Sequence, residues 1–141
     1  MAGLSEELVR ELIEKAIEAM SRAYTPYSRH KVGAALLTAD GTVYTGCNIE
    51  NVAFTPSNCA ERTAFFKAVS EGCRNFTAIA VVGGADGILS EECPPCGVCR
   101  QVMMEFCDPD TFEIITASGP DAWHIRTLKE YLPMGFGPDR L

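Results

Sequence analysis

The hydrophobic pattern predicts an α/β fold, a mixed five-stranded sheet flanked by helices. Three observations point there. Residues 76–82 form a nearly continuous apolar run, which suits a strand covered on both faces. Residues 5–23 repeat apolar side chains at helical spacing. Asp40-Gly41 sits between two short β-prone stretches, a strong hairpin signal. At 141 residues the chain reads as one domain, 1–141. A chain of this size buries roughly 70% of its unfolded surface, so its core needs no disulfides.

The first helix is expected over residues 5–23. Ser5 can cap it, and Leu8, Leu12, Ile13, Ala16, Ile17 and Met20 make its apolar stripe. Glu11, Glu14 and Glu18 read as its solvated face. Thr25-Pro26-Tyr27-Ser28 ends it. Strands are expected over 32–38 and 42–47, either side of the hairpin turn. A second helix runs 59–69 and stops near Gly72. The apolar strand 76–82 follows, and Gly83-Gly84 is expected to end it. A third helix spans 96–106, introduced by Pro94-Pro95. Strands over 112–116 and 123–127 and a short helix through Leu132 complete the order, and 133–141 reads as irregular. The alternation places helices on both faces of a mixed sheet.

Composition narrows the function. The net charge is -7 and no basic run occurs, which argues against a nucleic-acid backbone as partner. No apolar stretch approaches the ~20 residues that span a bilayer. The chain opens on an acidic helix-like segment rather than a signal peptide. Its cysteines number seven, at 47, 59, 73, 93, 96, 99 and 107. An odd count of unpaired thiols fits a reducing compartment. The expectation is a soluble cytoplasmic protein.

The chemistry is concentrated in two short motifs, Cys59-Ala60-Glu61 and Pro95-Cys96-Gly97-Val98-Cys99. Zinc takes about four ligands in a tetrahedron, and a catalytic site leaves one corner to solvent. Cys59, Cys96 and Cys99 can fill three corners as thiolates. Cys59 opens one predicted helix, and Cys96 and Cys99 lie in the first turn of another, where helix dipoles favour thiolate over thiol. Three thiolates leave a zinc centre at a formal charge of -1. Arg62, one turn after Cys59, can draw that charge back by donating to ligand sulfur. The metal lowers the pKa of a bound water towards roughly 7. Glu61 can take that water's proton and return it to the substrate as an amine leaves. A three-cysteine site with a non-ligating glutamate is an established arrangement for deamination of aminopyrimidine rings.

Other readings stay open on the residues alone. A Cys-x-x-Cys pair also suits a redox couple or a structural zinc knuckle. Cys93 could complete a structural four-cysteine site, leaving Glu61 without a task. Cys93, Cys96 and Cys99 echo part of an iron–sulfur run, but Cys107 falls too far along. Cys47, Cys73 and Cys107 suit plain apolar packing. His30 and His124 suit surface or core positions. Arg100 is either a surface cation or part of the site.

The chain resembles the small, homotetrameric, zinc-dependent cytidine deaminases. The matching stretches are Tyr27-Ser28, Val32-Gly33-Ala34-Ala35-Leu36, Cys47-Asn48-Ile49-Glu50-Asn51, Cys59-Ala60-Glu61-Arg62-Thr63-Ala64, Cys96-Gly97-Val98-Cys99-Arg100-Gln101-Val102, Leu132-Pro133 and Phe136-Gly137-Pro138. The resemblance covers essentially the whole chain. It implies a three-layer α/β/α fold and hydrolytic deamination of cytidine and 2′-deoxycytidine in pyrimidine salvage, with release of ammonia. It implies one zinc ion per subunit on Cys59, Cys96 and Cys99, with Glu61 as proton shuttle. Asn48 and Glu50 then hold the ribose hydroxyls, and the Ala60 N–H binds the pyrimidine O2. Phe136 stacks on the base in a neighbouring subunit, which implies a homotetramer with shared active sites.

Two positions depart from the family pattern. His30 stands where a phenylalanine usually packs on the base, and Phe54 where a tyrosine usually reaches the sugar. Both changes fall in the pocket rather than at the metal. His30 is expected to make the pocket more polar or roomier, admitting altered pyrimidines such as N4-substituted cytidines. Three competitors remain: a blasticidin S deaminase, a polynucleotide deaminase and a non-catalytic zinc protein. The Asn-Ile-Glu-Asn stretch disfavours the first, and the acidic charge the second.

Overall fold

The computed structural model describes residues 3–141. A single five-stranded sheet carries the fold, with strand order β2-β1-β3-β4-β5. The strands are β1 (His30–Thr38), β2 (Val43–Cys47), β3 (Phe76–Ala85), β4 (Glu113–Gly119) and β5 (Ala122–Thr127). The helices are α1 (Glu6–Met20), α2 (Ala60–Ser70), α3 (Gly97–Phe106) and α4 (Leu128–Tyr131), with a 3-10 turn at Pro138–Arg140. Only β3 and β4 pair in parallel; β1 with β2, β1 with β3, and β4 with β5 are antiparallel. This is the mixed sheet the patterning predicts.

The two faces of the sheet carry separate cores. On one, α1 packs Val9, Leu12, Ile13, Ala16 and Met20 against Ala35, Leu37, Ala80, Val82 and Ile115. On the other, α2 and α3 pack Ala64, Phe65, Ala68, Cys99 and Met103 against Leu36, Ile79, Val81 and Ile114. Alternate residues of β1 and β3 therefore serve opposite cores, as a strand's period of two requires. Burial on both faces explains why residues 76–82 read as an unbroken apolar run.

Ser5 caps α1, accepting from the Leu8 N–H at 3.2 Å. The helix stops at Met20, three residues short of its expected end, because Ser21 turns its hydroxyl back to the Glu18 carbonyl. Val9 and Ala19 are buried on its inner face, whereas Leu8 and Ile17 are only partly covered. Glu11, Glu14 and Glu18 are exposed.

Two strand limits differ from the sequence reading in ways that shape the site. β1 starts at His30 rather than Val32, which places His30 at the strand's entry. β3 runs through Gly83-Gly84 to Ala85, so those glycines do not end it. They admit the following loop instead. A Cβ on Gly84 would lie 1.7 Å from the Ile88 carbonyl oxygen. The missing side chain lets residues 86–96 fold back over the strand end and deliver Cys96 to α3.

Candidate metal centre and active-site pocket

Cys59 and Cys96 are the N-cap residues of α2 and α3. N-cap side chains ordinarily accept from the helix's first N–H groups. Neither cysteine does so, and both sulfurs turn outward to the same point. Cys99 follows in the first turn of α3 and is buried. Cys59 Sγ lies 3.7 Å from Cys96 Sγ, and Cys96 Sγ lies 3.6 Å from Cys99 Sγ. Corners of a tetrahedron about 2.3 Å from zinc stand about 3.8 Å apart. The trio thus has the donor type and the spacing that zinc requires. Among the described residues it is the one group of three or more His, Cys, Asp or Glu side chains gathered closely enough for a metal.

Arg62 sits one turn beyond Cys59, and its Nη2 donates to Cys59 Sγ at 3.2 Å. A hydrogen bond from Cys99 and the Arg62 guanidinium hold the metal-free Cys59 thiol down to about 5. Cys99 moves the other way, kept protonated by the bond it gives Cys59 and by burial. The trio therefore carries negative charge even before a cation binds.

Glu61, in the first turn of α2, is only 4% exposed. Burial pushes its carboxyl up to about 7, and the Cys59 thiolate adds to the push. A carboxyl group balanced near neutrality gives and takes protons readily. Ala60 is fully buried at the first position of α2, where the N–H has no acceptor within its own helix.

These groups form one wall of a cavity of about 690 Å³, within the usual size range of small-molecule sites. His30, Asn48, Glu50, Phe54, Ala60, Glu61, Arg62, Cys59, Cys93 and Cys96 all line it. Residues 48–50 lie extended between Tyr24 and Asn58, bridged through Ile49. That conformation sends Asn48 and Glu50, two residues apart, to the same side.

Both polar side chains are already engaged. Asn48 Oδ1 accepts from the Val32 N–H at 2.9 Å, and its Nδ2 donates to the His30 carbonyl at 2.7 Å. Glu50 accepts from the Tyr27 and Ser28 N–H groups at 3.0 and 3.1 Å and from the Ser28 hydroxyl. The Ser28 bond foremost holds the Glu50 carboxyl below its ordinary value. Each group keeps spare capacity, one Asn48 N–H and one or more Glu50 lone pairs.

His30 Nε2 lies 3.9 Å from Cys93 Sγ, and both line the cavity. Burial raises the Cys93 thiol to about 11, so it stays neutral. Cys93 thus faces His30 and does not join the sulfur trio. Phe54 adopts a left-handed backbone, φ 62°, and meets Tyr27 edge-on at 6.0 Å. Phe136 does not line this cavity; its carbonyl accepts from Gln101 Nε2 at 2.8 Å, and the residue is 58% exposed. His124 is exposed on β5, Cys107 is buried in the core, and Cys47 and Cys73 are half-buried. Arg100 is half-buried as well, not a free surface cation.

Two participants escaped the sequence reading. Ser28 belongs to the helix-ending turn and to a stretch matching the family, but neither signals its bond to Glu50, which needs the 48–50 segment folded beside it. Cys93 carried a signal in its spacing of three from Cys96, but that spacing pointed to the metal rather than to His30.

The sequence matches the family described as the cytidine and deoxycytidylate deaminase zinc-binding region over residues 6–114. It is 58% identical over 133 residues to a cytidine deaminase of Sporosarcina psychrophila, covering 94% of each chain. It is 51% identical over 125 residues to a cytidine deaminase of Halalkalibacterium halodurans, covering 89% of this chain and 91% of that one. The structure aligns with a crystal structure of cytidine deaminase from Burkholderia pseudomallei at a TM-score of 0.81 and 45% identity. That alignment covers 89% of this chain and 97% of the other.

Proposed function

The chain belongs to the cytidine and deoxycytidylate deaminase family, and from that premise we propose that it hydrolyses the exocyclic C4–N bond of cytidine and 2′-deoxycytidine. The products are uridine or 2′-deoxyuridine and ammonia. One observation carries the reading: three sulfurs, with neighbours 3.6 and 3.7 Å apart, stand beside a buried carboxyl group, and two of them, Cys59 and Cys96, line the same cavity as that carboxyl, Glu61.

Cys59, Cys96 and Cys99 hold zinc. When bound, the ion acts as a Lewis acid that brings the pKa of a water molecule towards about 7. Glu61 moves the protons. It takes one from the attacking water and delivers it to ring N3, making C4 more electrophilic. It then carries the water's second proton to the departing amine nitrogen, so water and substrate account for every atom of product and ammonia. Arg62 offsets the negative charge of the thiolates from its place against Cys59.

The remaining groups orient the nucleoside. Glu50 and Asn48 take the ribose hydroxyls with the lone pairs and N–H they have spare, and the Ala60 N–H takes the pyrimidine O2. His30 and Phe54 flank the base and sugar. Phe136 lies outside this cavity, and we assign it to the pocket of a neighbouring copy, as the family resemblance implies. Its exposure, with 96% for Met134, leaves this segment free to reach a neighbouring copy, as the proposed homotetramer with shared sites requires. We assign the whole of 1–141 to one catalytic domain, working in cytoplasmic pyrimidine salvage. The net charge of -7 favours a free nucleoside over a polynucleotide. No helix among the described residues is long and apolar enough to cross a membrane.

A second reading, deamination of N4-substituted cytidines, is favoured by the His30–Cys93 pair, which gives the pocket a polar wall. An absorbance assay on cytidine, deoxycytidine, cytosine, an N4-substituted cytidine and blasticidin S, with and without a zinc chelator, tests both. Turnover of cytidine that the chelator abolishes is the expected result. No turnover of any nucleoside would sink the reading. Comparing His30→Phe with the parent on cytidine and the N4-substituted analogue tests the second reading, which an unchanged ratio refutes.

A further inference from the structure

Arg100 follows Cys99, and its guanidinium bonds to backbone carbonyls rather than to the sulfurs. Its Nε donates to the Pro95 carbonyl at 2.7 Å and its Nη1 to the Tyr131 carbonyl at 2.9 Å. The guanidinium lies 5.0 Å from the centre of the Tyr131 ring. Pro95 and Cys96 share that first peptide plane, so the Nε bond fixes the orientation from which Cys96 projects its sulfur. Cys96 needs such help. It is exposed, and the loop of residues 86–96 before it has no regular structure.

The loop is held a second time, three residues earlier. Glu92 accepts from Thr116 Oγ1 at 2.9 Å and from Arg126 Nη1 at 2.6 Å. Arg126 in turn lies 6.0 Å from the same Tyr131 ring. Two arginines, from α3 and β5, thus share one aromatic ring and tie down both ends of residues 92–95.

We propose that Arg100 is a positioning residue: by bridging Pro95 to Tyr131 it holds Cys96 in place for the metal. The proposal rests on the zinc deaminase reading but concerns metal retention, not the chemical step. Geometry rather than charge carries it, since a rigid planar fork reaches the two carbonyls from separate nitrogens while its face lies against the ring, an arrangement a single ammonium nitrogen does not reproduce. Arg100→Lys separates the two. A positioning residue outside the ligand set typically costs a site ten- to a hundredfold in metal affinity.

The test measures zinc loss from the purified holoenzyme into excess chelator, for the parent, Arg100→Lys and Tyr131→Leu. Circular dichroism and Tm are recorded alongside. Arg100→Lys is expected to keep its secondary structure and release zinc roughly tenfold faster. Tyr131→Leu, which removes the shared ring and leaves its carbonyl, shifts the rate in the same direction by less. Should one variant fail to fold, the other decides. Parental release rates in the folded variants overturn the proposal, whatever happens to Tm or turnover. Zinc release is read independently of activity. A parent that binds zinc without deaminating cytidine therefore sinks the functional reading and leaves this test intact, whereas a parent that binds no zinc overturns both.

Discussion

Arg62 Nη2 and Cys59 Sγ are hydrogen-bonded at 3.2 Å, one helical turn apart on α2. The bond puts a permanent positive charge against a ligand of a site whose other ligands are also thiols. Arg62→Gln keeps a donor and removes the charge. Zinc affinity is expected to fall about ten- to a hundredfold, with kcat on cytidine falling too. Competition with a chelating dye measures the first, steady-state absorbance the second. Parental values for both would remove Arg62 from the charge balance.

Glu61 is buried beside the trio and is not one of its three members. Glu61→Gln preserves shape and removes the proton carrier. The variant is expected to retain zinc at parental stoichiometry and lose roughly 10²–10⁴-fold in kcat. Metal analysis and turnover on the same preparation make the comparison. Loss of zinc together with activity would assign Glu61 to metal binding instead.

The cysteines should differ in reactivity, and metal removal should rearrange the order. In the metal-free protein Cys59 is held down to about 5 by its hydrogen bond from Cys99 and by Arg62, so it is a thiolate at neutral pH. Burial alone raises Cys107, leaving a neutral thiol that is slow to alkylate. Brief treatment with iodoacetamide after chelation is expected to label Cys59 heavily and Cys107 hardly at all. With zinc restored, Cys59 labelling should fall sharply. Mass spectrometry of the digested protein reads each site, and equal labelling of Cys59 with and without zinc would contradict its role as a ligand.

Local signals made most of the architecture legible. Ser5 capped its helix, Asp40-Gly41 closed its hairpin, and the apolar run at 76–82 lay between two cores as its composition required. The metal trio was legible for a related reason. Two N-cap cysteines and a third one turn along are short-range patterns, and only their convergence needed the fold. What stayed hidden depended on contacts distant in sequence. Gly83-Gly84 looked like a strand end because the sequence could not reveal that Ile88 folds back onto it. Arg100 was undecided between surface and site until Tyr131 arrived beneath it from 31 residues away. The family resemblance gives Asn48 and Glu50 to the sugar alone, yet each also fastens the 27–32 segment that frames the pocket.

The clamp on the 86–96 loop should make stability acid-sensitive. Bonds from Arg126 and Thr116 hold the Glu92 carboxyl below its ordinary value. A carboxyl with a lowered folded-state pKa contributes stability above its unfolded value and loses it as pH falls through the folded one. The contribution is therefore present at neutral pH and disappears on acidification below about 4.5. Glu92→Gln is expected to unfold more easily in urea than the parent at neutral pH, with the gap closing as pH drops towards the carboxylate range. A gap independent of pH would mean that the ion pair contributes nothing and that only packing was lost.

Packing of α1 on the sheet depends on Gly33 of β1. A Cβ there would lie 1.9 Å from the Ala16 carbonyl oxygen and 2.6 Å from the Met20 N. Both are backbone atoms of α1, so no rotamer change can make room. Gly33→Ala must push the helix off the strand, and overpacking of this kind costs about 1–3 kcal/mol or more. Gly41 provides the contrast. It has φ 93° in the hairpin turn and nothing within 4 Å of its would-be Cβ. Gly41→Ala meets backbone strain without collision, at about 1–2 kcal/mol. Thermal unfolding of the two variants should place Gly33→Ala well below Gly41→Ala, with the parent highest. The reverse order would mean that α1 rides on the sheet loosely enough to absorb a methyl group, and that the core on that face is not close-packed at this crossing.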